Sequence, residues 1–400
     1  MANSKWFAYG CALLAILLAS IYPYIASRLL SLSVLLSNSP GQLKEFKAFS
    51  NYQVKFRNEV RNCEDGLLVE GEEGLAILSC DSGRDLWNTV MGVFTQPLSS
   101  IPSGELFIYR YQTFRRQNET LSRIQLLDFH DASGFHPLGI EYHKASRQLF
   151  VCNHHFEGPR VEIFTLDDLN SPSPTARHRR TITSPLIHSP NAIVALNEGE
   201  IYVTNDHFFQ IRHHRLLARL ETYAGLPSGS IVHIDLQTDD PSEAAIQSVA
   251  RVPFANGITL LNSSVLAVAS TNACQVRLYT ILPSSRKLEL SYKINIPFMP
   301  DNLSTDSRGA LLIAGHPHPP SLDSLVESRR VCLKDPSLLN ECHNGSAPSW
   351  VAEWTEDSGL RTLYRTIGEF GTSSTALRDT NSNLGLVTGL YEKGIMVWRE

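Results

Sequence analysis

Apolar and polar positions along this chain recur in one figure: a short strand, a polar turn and a second β-rich strand, the signature of a hairpin. Six stretches carry it. They are CEDGLLVEGEEGLAILSC (Cys63 to Cys80), HPLGIEYHKASRQLFVCN (His136 to Asn153) and SPNAIVALNEGEIYVTND (Ser189 to Asp206), then FANGITLLNSSVLAVAST (Phe254 to Thr271), MPDNLSTDSRGALLIAGH (Met299 to His316) and SSTALRDTNSNLGLVTGL (Ser373 to Leu390). A hairpin recurring at intervals of some tens of residues points to radially stacked blades. Between the copies, ELFIYRY, VEIFTL, SIVHIDL, QVRLYTI, SWVAEW and GIMVW fall where the outer strands of each blade belong. The predicted class is all-β: a six-bladed β-propeller over residues 56–400, preceded by a linker over 36–55 and an N-terminal hydrophobic helix over 1–35.

Two segments break the strand pattern. Gln210 to Tyr223 puts Ile211, Leu216, Leu217 and Leu220 roughly on one helical face, and reads as a lid over the disc or a membrane-touching insertion. Trp6 to Tyr22 is an apolar run of about bilayer-spanning length once its flanks are added. Because the apolar stretch resumes at Leu29 to Leu36, the expectation is an uncleaved signal anchor, with a signal peptide cleaved near Ala19 and Ser20 as the other reading.

In a propeller the first strand of each blade lines the central channel, so equivalent positions converge on one axis. Here those positions hold Glu64, Leu138, Asn191, Asn256, Asp301 with Asn302 beside it, and Ser374. Two carboxylates and several amide oxygens suit a hard cation, Ca²⁺ above all. Asn and Asp ahead of a strand are also ordinary turn residues; it is their recurrence at one point of a repeat that favours a metal site.

The net charge of −5 gives no electrostatic case for nucleic acid, and 42% hydrophobic residues imply a substantial core. Sequons at Asn118, Asn262 and Asn344 sit in polar, turn-like contexts and are expected to carry glycans in the secretory pathway. Asn302 also heads a sequon but is expected to be buried on metal. Cys332 and Cys342 bracket an irregular insert and are the foremost disulfide candidates, while Cys63 and Cys80 could pair across their hairpin. Cys152 and Cys274 read as small core residues.

FHPLGIEYH…LFVCNHH, SPNAIVAL…IYVTNDHFF, VPFANGITL, MPDNLSTD and AGHP stand in the order and context seen in the serum paraoxonase/arylesterase family, which the chain resembles from Asn62 onward. The resemblance implies a six-bladed propeller with two calcium ions in its tunnel, acting on lactones and aryl esters. It implies that Glu64, Asn191, Asn256, Asp301 and Asn302 hold the catalytic calcium, and that Asp65 and the Ile140 carbonyl belong to a second, structural one. It further implies that His154 is one member of a histidine dyad acting as base on water, that Asp206 and His207 form a second active-site pair, and that His316 is a pocket histidine.

At two site positions the chain departs from that pattern, and it has no counterpart to the family's long-range disulfide to a C-terminal cysteine. Leu138 stands where the dyad has its other histidine, with His136 two residues earlier, and Ala192 stands where the second calcium has an aspartate. Two function classes therefore remain. One is a membrane-anchored, calcium-dependent hydrolase of lactones or aryl esters, its propeller lumenal, extracellular or secreted. The other is a non-catalytic propeller serving as a chaperone-like or assembly factor in the secretory pathway. A propeller hydrolase with another base and a sugar lactone as substrate is a weaker third. The absence of GxSxG and HExxH disfavours serine-hydrolase and zinc-protease chemistry.

Overall fold

The structure, a computed structural model, describes residues 2–69, 71–72, 74–113, 118–237, 246–332 and 346–400. Its strands group into six four-stranded antiparallel units, and the mostly-β propeller class expected from the hairpin repeat is the class found. The innermost strands are Arg61–Leu68, Pro137–His143, Pro190–Asn197, Ala255–Asn262, Met299–Thr305 and Ser373–Asp379. Each touches the next, and the sixth touches the first, so they form a closed circuit.

Why the circuit holds is visible in the core. Six apolar clusters lie one between each pair of consecutive units. Phe150, Ile163, Val203 and Val232 join the second unit to the third, for example, and Tyr109, Leu78, Leu386 and Val397 join the first to the sixth. Both faces of every sheet are therefore buried. This explains why the middle strands, such as Leu75–Cys80 and Leu311–His316, are buried along their whole length and read as largely apolar runs.

The residues expected to form a linker do more than link. Phe46–Lys47 pairs with the outer strand of the fifth unit, and Asn51–Lys55 pairs with Ile395–Arg399 as the outer strand of the sixth. That last sheet is therefore built from both ends of the propeller. Helix α1 runs over Ala2–Ser37, and Cys11–Ser37 is long and apolar enough to cross a membrane by length and composition. Its C-terminal half is fastened to the propeller: Arg28 Nη1 donates to the Asn272 carbonyl at 2.5 Å, and Asn38 Nδ2 to the Pro297 carbonyl at 2.7 Å.

Helix α2 spans Arg215–Ala224, starting five residues later than its apolar spacing suggested. Gln210 to His214 are drawn off into turns, because Gln210 Nε2 donates to the His188 carbonyl and Arg212 Nη1 to the Phe156 carbonyl. The buried face of α2 carries Ala218 and Glu221, while Leu216, Leu217 and Leu220 are exposed. Cys63 and Cys80 form a disulfide, and Cys152 and Cys274 are free and buried. Cys332 is disulfide-bonded; Cys342 and Asn344 lie outside the described residues.

Candidate cation site and adjoining cavity

Every innermost strand breaks register with its neighbour at the same point, near its start. The shifts fall between Cys63 and Asp65, Pro137 and Ile140, Pro190 and Ile193, Ala255 and Ile258, Pro300 and Leu303, and Ser373 and Ala376. A bulge inserts an extra residue and re-aims side chains. The bulged positions are the ones singled out from the repeat: Glu64, Leu138, Asn191, Asn256, Asp301 with Asn302, and Ser374. Glycines let the bulges approach each other. A Cβ at Gly257 would meet Asn302 Cα at 2.5 Å, and one at Gly139 would meet the Asn191 carbonyl at 2.4 Å.

The resulting cluster is buried and short of partners. Asn302 Nδ2 donates to Glu64 Oε1 at 3.0 Å, which fixes both side chains. Glu64 Oε2, Asn191 Oδ1, Asn256 Oδ1 and Asn302 Oδ1 are buried with no hydrogen-bond partner. An unsatisfied buried oxygen costs about 1–3 kcal/mol, so four in one place need a ligand. A hard cation fits this all-oxygen donor set. Burial, then the charges of Asp65 and Asp301, push the Glu64 carboxyl well above its ordinary range, opposed by Arg84 and the Asn302 bond. Asp301 Oδ2 accepts from His316 Nε2 at 3.0 Å, placing His316 beside the cluster.

Asp65 behaves differently. Its Oδ1 accepts from the Gly66 N–H at 2.8 Å and from Thr375 Oγ1 at 2.9 Å, and its Oδ2 from the Ile140 N–H at 2.9 Å. Burial still raises its pKa, to about 6. Ile140 thus meets Asp65 through its N–H, and its residue pairs with Val151 in the ladder. These two residues have the hydrogen bonds of a structural contact.

A cavity of about 310 Å³ is lined by Trp87, Thr89, His154, Asp206, His207 and Phe209 among others, with Ala218 and Thr222 of α2 over it. No residue of the cluster lines it, and the link between the two is the bond from His154 to the carbonyl of Pro190, the residue before Asn191. His154 is held at both nitrogens: Nε2 donates to the Pro190 carbonyl at 2.6 Å, and Nδ1 accepts from the Thr89 hydroxyl. Burial lowers its pKa, so the ring is neutral with its proton on Nε2. His207 is the opposite case. Its Nδ1 donates to Asp206 Oδ1 at 3.0 Å, and its Nε2 to Thr222 Oγ1 at 2.6 Å, because the Thr222 hydroxyl itself donates to Ala218. Burial pulls the His207 pKa down, but Asp206 outweighs it and raises the net value. Burial likewise pushes Asp206 up, and the His207 charge together with hydrogen bonds from His207 and Ser189 more than reverses that. The pair is an imidazolium and a carboxylate, with Asp206 Oδ2 left without a partner.

Two expected participants lie elsewhere. Leu138 packs into the apolar cluster between the second and third units. His136 is buried beside Trp87 and Phe156, its Nδ1 bonded to Asp81 at 3.1 Å, and it does not line the cavity. Among the described residues, Asp131, His155 and Glu157 also bring metal-type ligand atoms within 4.8 Å of one another, but Arg160 already binds both carboxylates. Sequence reasoning missed Thr89, which no motif marks, and Thr375, which sits one residue past its repeat position. The glycines at 139 and 257, inside strand patterns, were the available signal for the bulges.

Comparison with known proteins gives the family. The arylesterase family model matches residues 95–330, more than half of the chain. The chain belongs to the arylesterase family. Serum paraoxonase/arylesterase 2 of Canis lupus familiaris is 27% identical over 248 residues, covering 58% of this chain and 66% of that protein. Serum paraoxonase/arylesterase 1 of Homo sapiens is 26% identical over 258 residues, covering 58% and 69%. The match to the canine arylesterase thus spans just under two thirds of that relative's length. Among solved structures, a luciferin-regenerating enzyme aligns with a TM-score of 0.49 at 11% identity, covering 87% of this chain and 95% of its own. A gluconolactonase from Xanthomonas campestris aligns with a TM-score of 0.45 at 13% identity, covering 89% and 99%. At such scores neither bears on fold or function.

Proposed function

We propose that this arylesterase-family chain is a calcium-dependent hydrolase of lactones and aryl esters. The observation that carries the reading is the set of four unpartnered buried oxygens, on Glu64, Asn191, Asn256 and Asn302, with a neutral histidine of the cavity bonded to the backbone one residue before Asn191. With Asp301 these residues would hold the cation. Bound there, the cation would supply Lewis-acid polarisation of the ester carbonyl.

The chain's own groups do the rest. His154 is the base: its Nδ1 is the unprotonated nitrogen, and the Thr89 hydroxyl that lines the cavity can give its proton to Nδ1 while taking one from water. Asp206, kept ionised by His207, offers Oδ2 as an acceptor that orients that water. Trp87, Val90, Phe209 and Ile211 form an apolar wall for the acyl or aryl portion. Helix α1 ties the enzyme to a membrane of the secretory pathway, and exposed Asn118 and Asn262 carry glycans in its lumen.

The burial of Leu138 in an apolar cluster favours a second reading, a non-catalytic propeller. Turnover of phenyl acetate and a panel of γ- and δ-lactones by the purified intact chain separates the two. The hydrolase reading expects turnover that Glu64→Gln abolishes; no turnover on any member favours the second, and turnover indifferent to Glu64→Gln would contradict the second and place the catalytic centre away from Glu64.

A further inference from the structure

We infer that the tunnel of this chain takes one divalent cation, not two, the position beside Asp65 having too few free oxygen donors to hold a second. The inference rests on the proposed cation site at Glu64 and concerns how far that site extends. The two neighbouring carboxylates differ in what they lack. Glu64 has an oxygen with no partner, and the three amide oxygens grouped with it are equally bare.

Asp65 is already engaged at both oxygens and keeps only one lone pair, on Oδ2, without a donor. Its two oxygens accept three hydrogen bonds, from Gly66, Thr375 and Ile140, all between 2.8 and 2.9 Å. The hydroxyls around it are committed as well. Thr375 Oγ1 accepts from Asn302 Nδ2 at 3.0 Å and lies 3.0 Å from the Glu64 carbonyl, which also takes the Thr388 hydroxyl at 3.3 Å. Ala192, following the ligand Asn191, contributes only a methyl group, buried in the cluster with Ile231, Val252 and Ala255. A cation beside Asp65 would find one lone pair on Oδ2 and, past Asn191, a methyl group in place of an oxygen donor. These are too few for an ion that takes roughly six to eight oxygens, unless it displaced backbone N–H donors at about 1–3 kcal/mol each. The polar network of Thr375, Asp65 and the Ile140 N–H supplies structurally what a second ion would otherwise supply.

The test is stoichiometry. The intact chain is stripped with chelator and titrated with calcium by calorimetry, with metal content measured after dialysis. One calcium per chain is expected in the wild type, still one in Asp65→Asn, and none in Glu64→Gln. Two per chain, or a fall in Asp65→Asn, would overturn the single-ion inference while leaving the hydrolase reading intact. None in the wild type would overturn both.

Discussion

Glu64 and Glu162 are both buried glutamates on strands, 2% and 0% exposed, yet the protein treats them in opposite ways. Glu162, in an outer part of the second unit, accepts from Asn153 Nδ2 and His178 Nε2 at 3.0 Å and from Thr181 Oγ1 at 2.5 Å. The network of Arg378, at the far end of an innermost strand, is saturated in the same way: its guanidinium reaches Asp306 at 2.6 Å and Glu353 at 2.6 Å, while two backbone N–H groups cap Asp306. Glu64 keeps one oxygen bare among three bare amide oxygens. Burial alone therefore says little about purpose. A paired buried carboxylate holds the fold together, whereas a bare cluster at the axis is built for a ligand that the chain does not itself supply.

The largest effect that would break this contrast is on turnover. Glu64→Gln should lower kcat by about a thousandfold or more, as expected when the group holding a catalytic cation is removed, with the chelated variant as stable as chelated wild type or more so. Glu162→Gln should do the reverse, leaving turnover in place and costing roughly 1–3 kcal/mol by urea unfolding. If Glu162→Gln silenced the enzyme and Glu64→Gln did not, the two regions would have been assigned backwards. Next in size, Arg378→Met should destabilise by roughly 3–5 kcal/mol, because two carboxylates lose their buried partner. Its folded fraction should keep wild-type kcat.

A smaller effect sharpens the comparison through pH. In chelated protein, Glu64 and Asp65 have folded pKa values raised by burial above the ordinary 4.5 and 3.8, Asp65 to about 6. Raised carboxyl pKa values favour the folded state while protonated. That contribution is full below pH ~4 and is lost as the pH climbs through about 6, since the unfolded chain ionises first. Glu200 runs the other way, its pKa lowered to about 2 chiefly by hydrogen bonds from Arg286. Its contribution is full above about pH 4.5 and fades as the pH falls towards 2. Thermal melts of chelated protein should therefore show a tunnel-dependent decline above pH 4, flattened in Asp65→Asn, and an acid decline flattened in Glu200→Gln. A profile unchanged by both substitutions would remove the electrostatic basis of the contrast.

Much of this was readable in the sequence because a propeller writes its symmetry into the chain. Aligning six hairpins put Glu64, Asn191, Asn256, Asp301 and Asn302 at one position, and that position proved to be a bulge in every unit. What stayed hidden depends on residues brought together across the ring. The Asn302–Glu64 bond joins positions 238 apart, and Thr375 reaches Asp65 across 310. No local pattern encodes such pairs. The same applies to residues 51–55, whose strand partner lies at the far end of the propeller, and to Gln210–His214, where side-chain bonds to the cavity rim override helical spacing.

The most direct test of the central claim is hydrolysis of phenyl acetate and lactones by the purified intact chain, followed through chelation and stepwise return of calcium. Turnover should vanish with chelator and recover as calcium fills the Glu64 site. Turnover that persists without calcium, or never appears with it, would contradict the assignment of the bare oxygen cluster as the catalytic centre.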